Sequence, residues 1–174
     1  MDLKFDKLKL DMLTERELWE KHPEFGCFWS DLNNPKGFRL TPEVCIGKVS
    51  LELTIDKYLT GVIGIAHGGV APCILDGMMG WFLISHLGHS GVTSKSVITY
   101  KGPLHLGKTY HFEVVLHEGR ELAIDSIPLI GRVLSDEGGE LVRLESSFFL
   151  PNKKQASRIL QKDLDPITSK YFRE

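Results

Sequence analysis

The longest apolar segment of the chain runs from Gly68 to Ser85 and contains one ionisable acid or base, Asp76, besides the thiol of Cys73. It is interrupted by glycine and shorter than the roughly 20 residues that cross a bilayer. Proline fits a helix only in its first turn, so Pro72 places the helix start near Gly69. The pattern therefore predicts one long helix buried inside a globular domain, with no membrane partner.

Successive helical residues are rotated by about 100°, which sorts this segment into two faces. The mostly small face consists of Gly69, Pro72, Cys73, Asp76, Gly80 and Leu83, and the bulky face of Ala71, Ile74, Met78, Trp81 and Ser85. Small residues let a strand or a ligand approach the helix backbone. Burying an unpaired carboxylate is costly, so Asp76 is either a structural hydrogen-bond acceptor or a functional group. Likewise, His67-Gly68-Gly69 is either a plain turn into the helix or part of a site.

Segments of alternating apolar and polar residues lie on both sides of this helix. Before it, strands are predicted at 38–40 and 44–53, followed by a loop at 56–65. After it, strands are predicted at 92–106 (interrupted at Gly102-Pro103), 110–118, 122–134 and 141–150, with a tight turn at 135–139 and a short helix at 154–162. Pro128 marks a bulge or a sheet edge. Consecutive strands beside one apolar helix predict an α+β domain in which an antiparallel sheet covers the helix.

The N-terminal segment has helical character. A capping box at Thr14–Glu17 opens a short helix that Pro23 ends. An aromatic cluster follows, formed by Phe25, Phe28 and Trp29. This cluster is either part of a flap packed on the main domain or part of a ligand pocket. The pattern divides the chain into an N-terminal helical extension (1–36), a main domain (37–151) and a charged C-terminal tail (152–174).

Composition and charge exclude several classes of function. With 174 residues and a formal net charge of −2, the chain has no excess of basic residues for nucleic-acid binding. The three cysteines are isolated, which argues against a disulfide framework and a zinc site and favours a reducing compartment. His86 and His89 have no third ligand nearby in the sequence, so we expect no metal. The start of the chain lacks the features of a signal peptide, and we expect a cytoplasmic location.

One combination of motifs matches a known family. The segment Gly64-x-x-His67-Gly68-Gly69 has an acid nine residues after the histidine, and Val92–Leu104 and Gly107-Lys108 follow it. This combination resembles the hotdog-fold acyl-CoA thioesterases of the phenylacetate-pathway (PaaI-like) type, over about residues 39–150. The resemblance implies a hotdog fold, in which an antiparallel sheet wraps around one central helix. It also implies a homodimer or a dimer of dimers, with sites at the subunit interface.

The resemblance implies roles for individual residues as well. Asp76 would activate water or attack the thioester carbonyl, Gly68 would hold the carbonyl oxygen with its backbone N–H, and His67 would orient the turn or contact the thioester. The hydroxyl residue that many members place on the third strand falls on Thr93, with Ser94 next to it. The remaining residues expected to border the substrate are Gly61, Gly69, Cys73 and Gly80. Members commonly carry asparagine six residues before the histidine, and this position is Gly61 here.

The implied function is hydrolysis of an acyl-CoA thioester to the free acid and CoA. No cofactor is expected beyond the coenzyme A of the substrate. Because Gly61 replaces the asparagine, a non-catalytic acyl-CoA binding or sensing protein is the alternative. A hotdog dehydratase or hydratase is a third class, but its motif context is absent from the sequence. The aromatic residues suit either an aryl or a medium-chain acyl group.

Overall fold

The computed structural model describes residues 27–166 and 168–174; the predicted capping box at Thr14–Glu17 and Phe25 lie outside them. The described strands are β1 (Glu43–Cys45), β2 (Lys48–Thr54), β3 (Thr60–Val62), β4 (Ile65–Ala66), β5 (Val92–Tyr100), β6 (Thr109–Leu116), β7 (Ile127–Leu134) and β8 (Glu140–Phe149). The described α-helices are α1 (Val70–Leu87) and α2 (Lys153–Leu160), and 3-10 turns lie at Lys57–Leu59 and Thr168–Tyr171.

Six of these strands form one antiparallel sheet in the order β1-β2-β6-β7-β8-β5. Helix α1 packs against β2, β6, β7 and β8, while β3 and β4 form a separate two-stranded sheet. The side chains that alternate inward from β6 enter the core, as the pattern predicts: Tyr110, Phe112 and Val114 are buried. The predicted α+β class, with an antiparallel sheet covering one apolar helix, is confirmed.

The ends of α1 follow the signals in the sequence. The helix begins at Val70 with Gly69 as its N-cap, so Pro72 lies in the first turn, where its missing N–H costs nothing. It ends at Leu87 because Gly88 adopts a left-handed conformation with φ 72°. The Gly88 N–H then donates to the Ile84 carbonyl at 2.9 Å, which satisfies one of the last carbonyls of the helix.

The two faces of α1 differ in burial. The bulky face is buried at Ala71, Ile74, Met78, Trp81 and Ser85. The small face is half-buried at Pro72, Cys73, Asp76 and Gly80, although Leu83 is fully buried. Because 67% of α1 is buried inside the fold, its apolar composition is that of a core helix. The Asp76 carboxylate therefore lies at the boundary between core and surface.

The predicted strand at 38–40 is wrong. Arg39 has a φ of 56°, and this left-handed conformation is incompatible with an extended strand. Its guanidinium donates hydrogen bonds to the carbonyls of Asn34 (2.9 Å) and Pro35 (3.0 Å), so Arg39 closes the preceding turn. The first strand pair is instead the hairpin of β1 and β2.

The predicted loop at 56–65 is only partly irregular. It contains the 3-10 turn Lys57–Leu59 and the hairpin of β3 and β4. The hairpin is short, and its register shifts between Thr60 and Val62, which explains why its residues show no alternation in the sequence. The hairpin brings Gly61 directly beside His67.

The prediction of a bulge or a sheet edge at Pro128 is also wrong. Pro128 lies in β7, which pairs with β6 on one side and β8 on the other. Its carbonyl accepts a hydrogen bond of 3.0 Å from the N–H of His117, one residue beyond the end of β6. The proline nitrogen points to the same side as this carbonyl. The missing N–H therefore falls past the end of the β6 ladder and removes no bond within it.

His86 belongs to the last turn of α1, and it is fully buried. Its Nδ1 lies 3.0 Å from the Phe82 carbonyl, and its Nε2 accepts a hydrogen bond of 2.9 Å from the N–H of Gly47. This arrangement suits a neutral ring protonated on Nδ1. Burial lowers the pKa of His86, against the opposing effect of the nearby carbonyls of Phe82 and Cys45. The ring thus joins α1 to the β1–β2 turn.

We expect the buried His86 ring to make stability depend on pH. Its folded pKa lies below the ordinary value of 6.5, so the unfolded chain binds the proton first as the pH falls. The contribution of the neutral His86 ring to the free energy of unfolding is complete above about pH 6.5 and is lost progressively below it. Urea unfolding should therefore show a lower midpoint at about pH 5.5 than at about pH 7.5.

The control is His86→Gln, which has no titrating ring and should show a smaller difference between the two pH values. The carboxylate of Glu140 does not interfere, because the Arg143 guanidinium, together with Lys101, lowers its pKa to about 2, far below this range. An equal pH dependence in the parent and in His86→Gln would contradict the prediction.

Candidate active site

The Asp76 carboxylate is held by the first part of β5. The Thr93 hydroxyl donates a hydrogen bond of 2.9 Å to Asp76 Oδ1. Among the described residues, no group donates to Oδ2, and the residue is half-buried. The carboxylate is therefore fixed through one oxygen, and its second oxygen is open to water or a ligand.

The turn before α1 is held by His67. The Gly69 N–H donates to His67 Nδ1 at 3.0 Å, and the Val70 N–H donates to the His67 carbonyl at 2.9 Å. Because Nδ1 accepts a hydrogen bond, a neutral His67 carries its proton on Nε2, which is then a donor. The N–H of Gly68 donates to no group in the described part of the chain. An unpaired N–H at the start of a helix is suited to bind a developing oxyanion.

Tyr100 reaches the same turn from the end of β5. Its hydroxyl donates a hydrogen bond of 2.7 Å to the Gly68 carbonyl. The peptide group between Gly68 and Gly69 is thus fixed at both ends, by Tyr100 at its carbonyl and by His67 at its N–H. Tyr100 is not indicated by the sequence, since alternation in a strand does not reveal which distant turn a side chain contacts.

A cavity of about 410 Å³ opens beside this turn. It is lined by Ile65, Ala66, His67, Gly68, Ala71, Tyr100, Lys101, Gly102, Pro103, Leu104 and Val142. Its wall is mainly apolar, and the backbone of the turn and His67 supply polar groups at one side. Such a cavity suits a ligand that has an apolar part and a polar end. Asp76 and Thr93 do not line this cavity but lie on the neighbouring part of α1 and β5.

No family model matches the chain. Acyl-coenzyme A thioesterase 13 of Homo sapiens and that of Pongo abelii are each 33% identical to it over 91 residues, covering 49% of this chain and 63% of the relative. The chain therefore matches less than two thirds of the length of these curated relatives.

Two solved structures show the likeness of the folds. A Streptococcus mutans protein bound to acetyl CoA has a TM-score of 0.55 at 22% identity, covering 68% of this chain and 94% of that one. PaaI from the phenylacetic acid degradation operon of E. coli has a TM-score of 0.52 at 14% identity, covering 59% of this chain and 76% of that one. The chain has the hotdog fold. The predicted resemblance to hotdog-fold thioesterases is thus confirmed, and at these identities the structures establish the fold alone.

The position where the hotdog thioesterases commonly carry asparagine is closely packed here. A Cβ atom on Gly61 would lie 2.6 Å from His67 Cα and 3.1 Å from His67 N, both of which are backbone atoms. The neighbouring Leu59 carbonyl accepts the His67 N–H at 2.7 Å, which keeps the hairpin against the turn. A side chain at this position requires the hairpin to move, so Gly61 is part of the local backbone geometry of this hotdog domain.

The other predicted substrate-binding residues lie in different surroundings. Burial raises the pKa of the Cys73 thiol, and the Asp76 charge adds to this effect, so Cys73 is not a thiolate nucleophile at neutral pH. A Cβ on Gly80 would meet no atom within 4 Å, so the small face is open there. The Ser94 hydroxyl donates to the Ser147 carbonyl at 2.8 Å, inside the sheet and away from the cavity.

The two described aromatic residues of the predicted N-terminal cluster do not line the cavity. Trp29 is buried, and its Nε1 donates a hydrogen bond of 2.9 Å to the Ile74 carbonyl of α1. Phe28 is 52% exposed and packs edge-on against Phe38 with 5.2 Å between the ring centroids. In this part of the extension, the structure therefore shows packing on the main domain and not a pocket wall.

Proposed function

We propose that this hotdog domain hydrolyses acyl-CoA thioesters to the free acid and CoA. The observation that carries the proposal is the placement of two groups in and just before α1: the Asp76 carboxylate, whose Oδ2 accepts no hydrogen bond from the described residues, and the Gly68 N–H, which donates to none of them. A mainly apolar cavity adjoins the second group. The acyl-coenzyme A thioesterases among its relatives support this class of substrate.

In the proposed reaction the thioester carbonyl oxygen accepts the N–H of Gly68, and a carboxylate faces the reacting carbon. Asp76 lies eight residues after Gly68, about 12 Å along a helix, so this carboxylate is the partner subunit's Asp76 in a dimer. Asp76 either removes a proton from water, which then adds to the carbonyl, or attacks the carbonyl directly to form an anhydride that water cleaves. In both routes the C–S bond breaks as the tetrahedral oxyanion collapses. The departing CoA sulfur takes up a proton, and the other product is the free acid. The scheme requires no metal and no cofactor besides the substrate's own CoA.

His67 provides a second donor in this proposal. Its Nδ1 is occupied by the Gly69 N–H, so its Nε2–H is available to the same carbonyl oxygen. Removal of one oxyanion donor costs about two to three orders of magnitude in known enzymes, so two donors matter. His67 would thus supply the hydrogen bond that Gly61 cannot supply for lack of an amide side chain.

The experiment is release of free thiol from a panel of acyl-CoA substrates with aryl, short-chain and medium-chain acyl groups, with binding measured in parallel by calorimetry. Release above the rate in buffer supports hydrolysis. Binding of acyl-CoA without release supports the alternative, a non-catalytic acyl-CoA binding protein, which the absence of an amide at Gly61 favours. Conversion of 3-hydroxyacyl-CoA without thiol release would point to a dehydratase instead.

We also propose that two copies pair through β5 to form a homodimer. All nine residues of β5 are exposed, and β5 is the last strand of the sheet. The exposed side chains include Val92, Val97, Ile98 and Tyr100. A long exposed edge that carries apolar side chains and pairs with no other described strand favours pairing with a second copy, and a twofold axis would continue the sheet. Thr93 and Tyr100, which hold the two parts of the site, would then lie at the subunit interface.

Light scattering at micromolar concentration should therefore give at least twice the mass of one chain. Val97→Lys places a charge on the β5 edge and should shift the mass toward that of a single chain. A strictly monomeric parent protein would contradict the dimer.

A further inference from the structure

Strand β5 is irregular beside the candidate active site. Its pairing with β8 is regular from Tyr100 back to Lys95, which lies opposite Ser147. The next paired residue is Thr93, opposite Phe148, so Ser94 is an extra residue without a partner of its own. This is a β-bulge, in which two residues of one strand face one residue of the other.

The bulge decides which way Thr93 points. Directly opposite residues of an antiparallel pair share a face, and the residues of β8 that face α1 are the buried ones, Val142, Leu144, Ser146 and Phe148. Thr93 lies opposite Phe148 and therefore faces α1, where its hydroxyl contacts Asp76. Without the extra residue, Ser94 would lie opposite Phe148, and Thr93 would point to the other face of the sheet.

A side-chain hydrogen bond holds this irregular position. The Ser94 hydroxyl donates to the Ser147 carbonyl at 2.8 Å, at the point where the two strands change register. The bond ties the extra residue to β8 and thus opposes a return to regular pairing.

We infer that Ser94 is a positioning residue: its hydroxyl fixes the bulge, and the bulge aims Thr93 at Asp76. This inference rests on the proposed hydrolysis for its kinetic test. Ser94 acts through Thr93 and touches neither the substrate nor the Asp76 carboxylate.

The chain offers a matched control in Ser96. Ser96 lies on the same strand, and its hydroxyl also bonds to β8, 2.8 Å from Ser146 Oγ. It sits in the regular part of the ladder, however, and lies opposite Ser146. Ser94→Ala and Ser96→Ala each remove one hydroxyl that bonds to β8, and only Ser94→Ala affects the bulge.

The kinetic experiment measures kcat and KM for thiol release in Ser94→Ala, Ser96→Ala, Thr93→Ala and the double variant Thr93→Ala/Ser94→Ala. Ser94→Ala should lower kcat about tenfold or more with KM little changed, because a small misplacement of a catalytic group is costly. Ser96→Ala should keep the parental kcat. In the Thr93→Ala background, Ser94→Ala should have no further effect, since the two residues act as one unit.

A structural experiment tests the inference without relying on activity. In a crystal structure of Ser94→Ala, the Thr93 hydroxyl should have left Asp76, whereas in Ser96→Ala it should remain in contact. A Ser94→Ala structure that keeps the contact, or additive kinetic effects in the double variant, would overturn the inference. A parent protein that releases no thiol would overturn the proposed hydrolysis alone, and the two structures would still decide the role of Ser94. Should Ser94→Ala fail to fold while Ser96→Ala folds, the hydroxyl holds the whole strand, and the inference is overturned as well.

Discussion

Replacement of Asp76 by asparagine is expected to lower the turnover of acyl-CoA by about two orders of magnitude or more, while binding is preserved. Asparagine has nearly the same size, and its amide oxygen can still accept the hydrogen bond that Thr93 donates to Asp76. It lacks the basicity and the negative charge that either proposed route requires. Thiol release at saturating substrate and calorimetric binding of acyl-CoA measure the two effects separately.

The matched control is Asp136→Asn, which changes an exposed aspartate in the turn between β7 and β8. It should leave both turnover and binding unchanged. Thermal unfolding of the same samples shows whether Asp76→Asn acts through stability. If Asp76→Asn folds normally and turns over substrate at the parental rate, Asp76 is a structural acceptor and the proposed mechanism is wrong.

The second large effect concerns Trp29. Trp29→Ala is expected to lower the free energy of unfolding by about 3–5 kcal/mol, the usual cost of removing a large buried aromatic side chain. The indole is 5% exposed, donates to the Ile74 carbonyl and lies 6.4 Å from the Trp81 ring between centroids. Urea unfolding measures this loss. The neighbouring variant Phe28→Ala, at a residue that is 52% exposed, should cost far less.

Gly77 gives this prediction a second, independent test. A Cβ on Gly77 would lie 2.2 Å from the Trp29 ring, so Gly77→Ala should displace the indole and destabilise the parent protein. With the indole removed, the same substitution should become neutral or stabilising, because alanine favours a helix over glycine by about 1 kcal/mol. Simple additivity of Gly77→Ala and Trp29→Ala would show that the indole does not pack on Gly77 in solution.

The main elements of the fold could be predicted because their signals are local. Helix α1 carries a long, mostly apolar segment, a proline in its first turn and a glycine just after its end, and each of these signals acts locally. The incorrect prediction at Pro128 depends on a distant contact, since Pro128 occupies an inner strand only because the neighbouring strand ends beside it.

The candidate site could be predicted only in part for the same reason. Motif spacing indicated the pair of Asp76 and Thr93 through resemblance, and the structure brings their side chains into contact. A one-residue bulge is invisible in a pattern of apolar and polar residues, so the role of Ser94 could not be predicted. The contact between Tyr100 and Gly68 joins residues 32 positions apart and follows from the way β5 passes the start of α1.

The packing of Trp29 on α1 also gives the protein a built-in optical reporter. Two of the three tryptophans of the chain lie with their indole centroids 6.4 Å apart and their ring planes inclined by 51°. Two chromophores held this close and at an oblique angle couple their electronic transitions and give a paired circular dichroism signal in the ultraviolet. We expect that signal to be lost when Trp29 separates from Trp81. Docking of this segment can therefore be followed in real time on the unlabelled protein, separately from melting of the sheet.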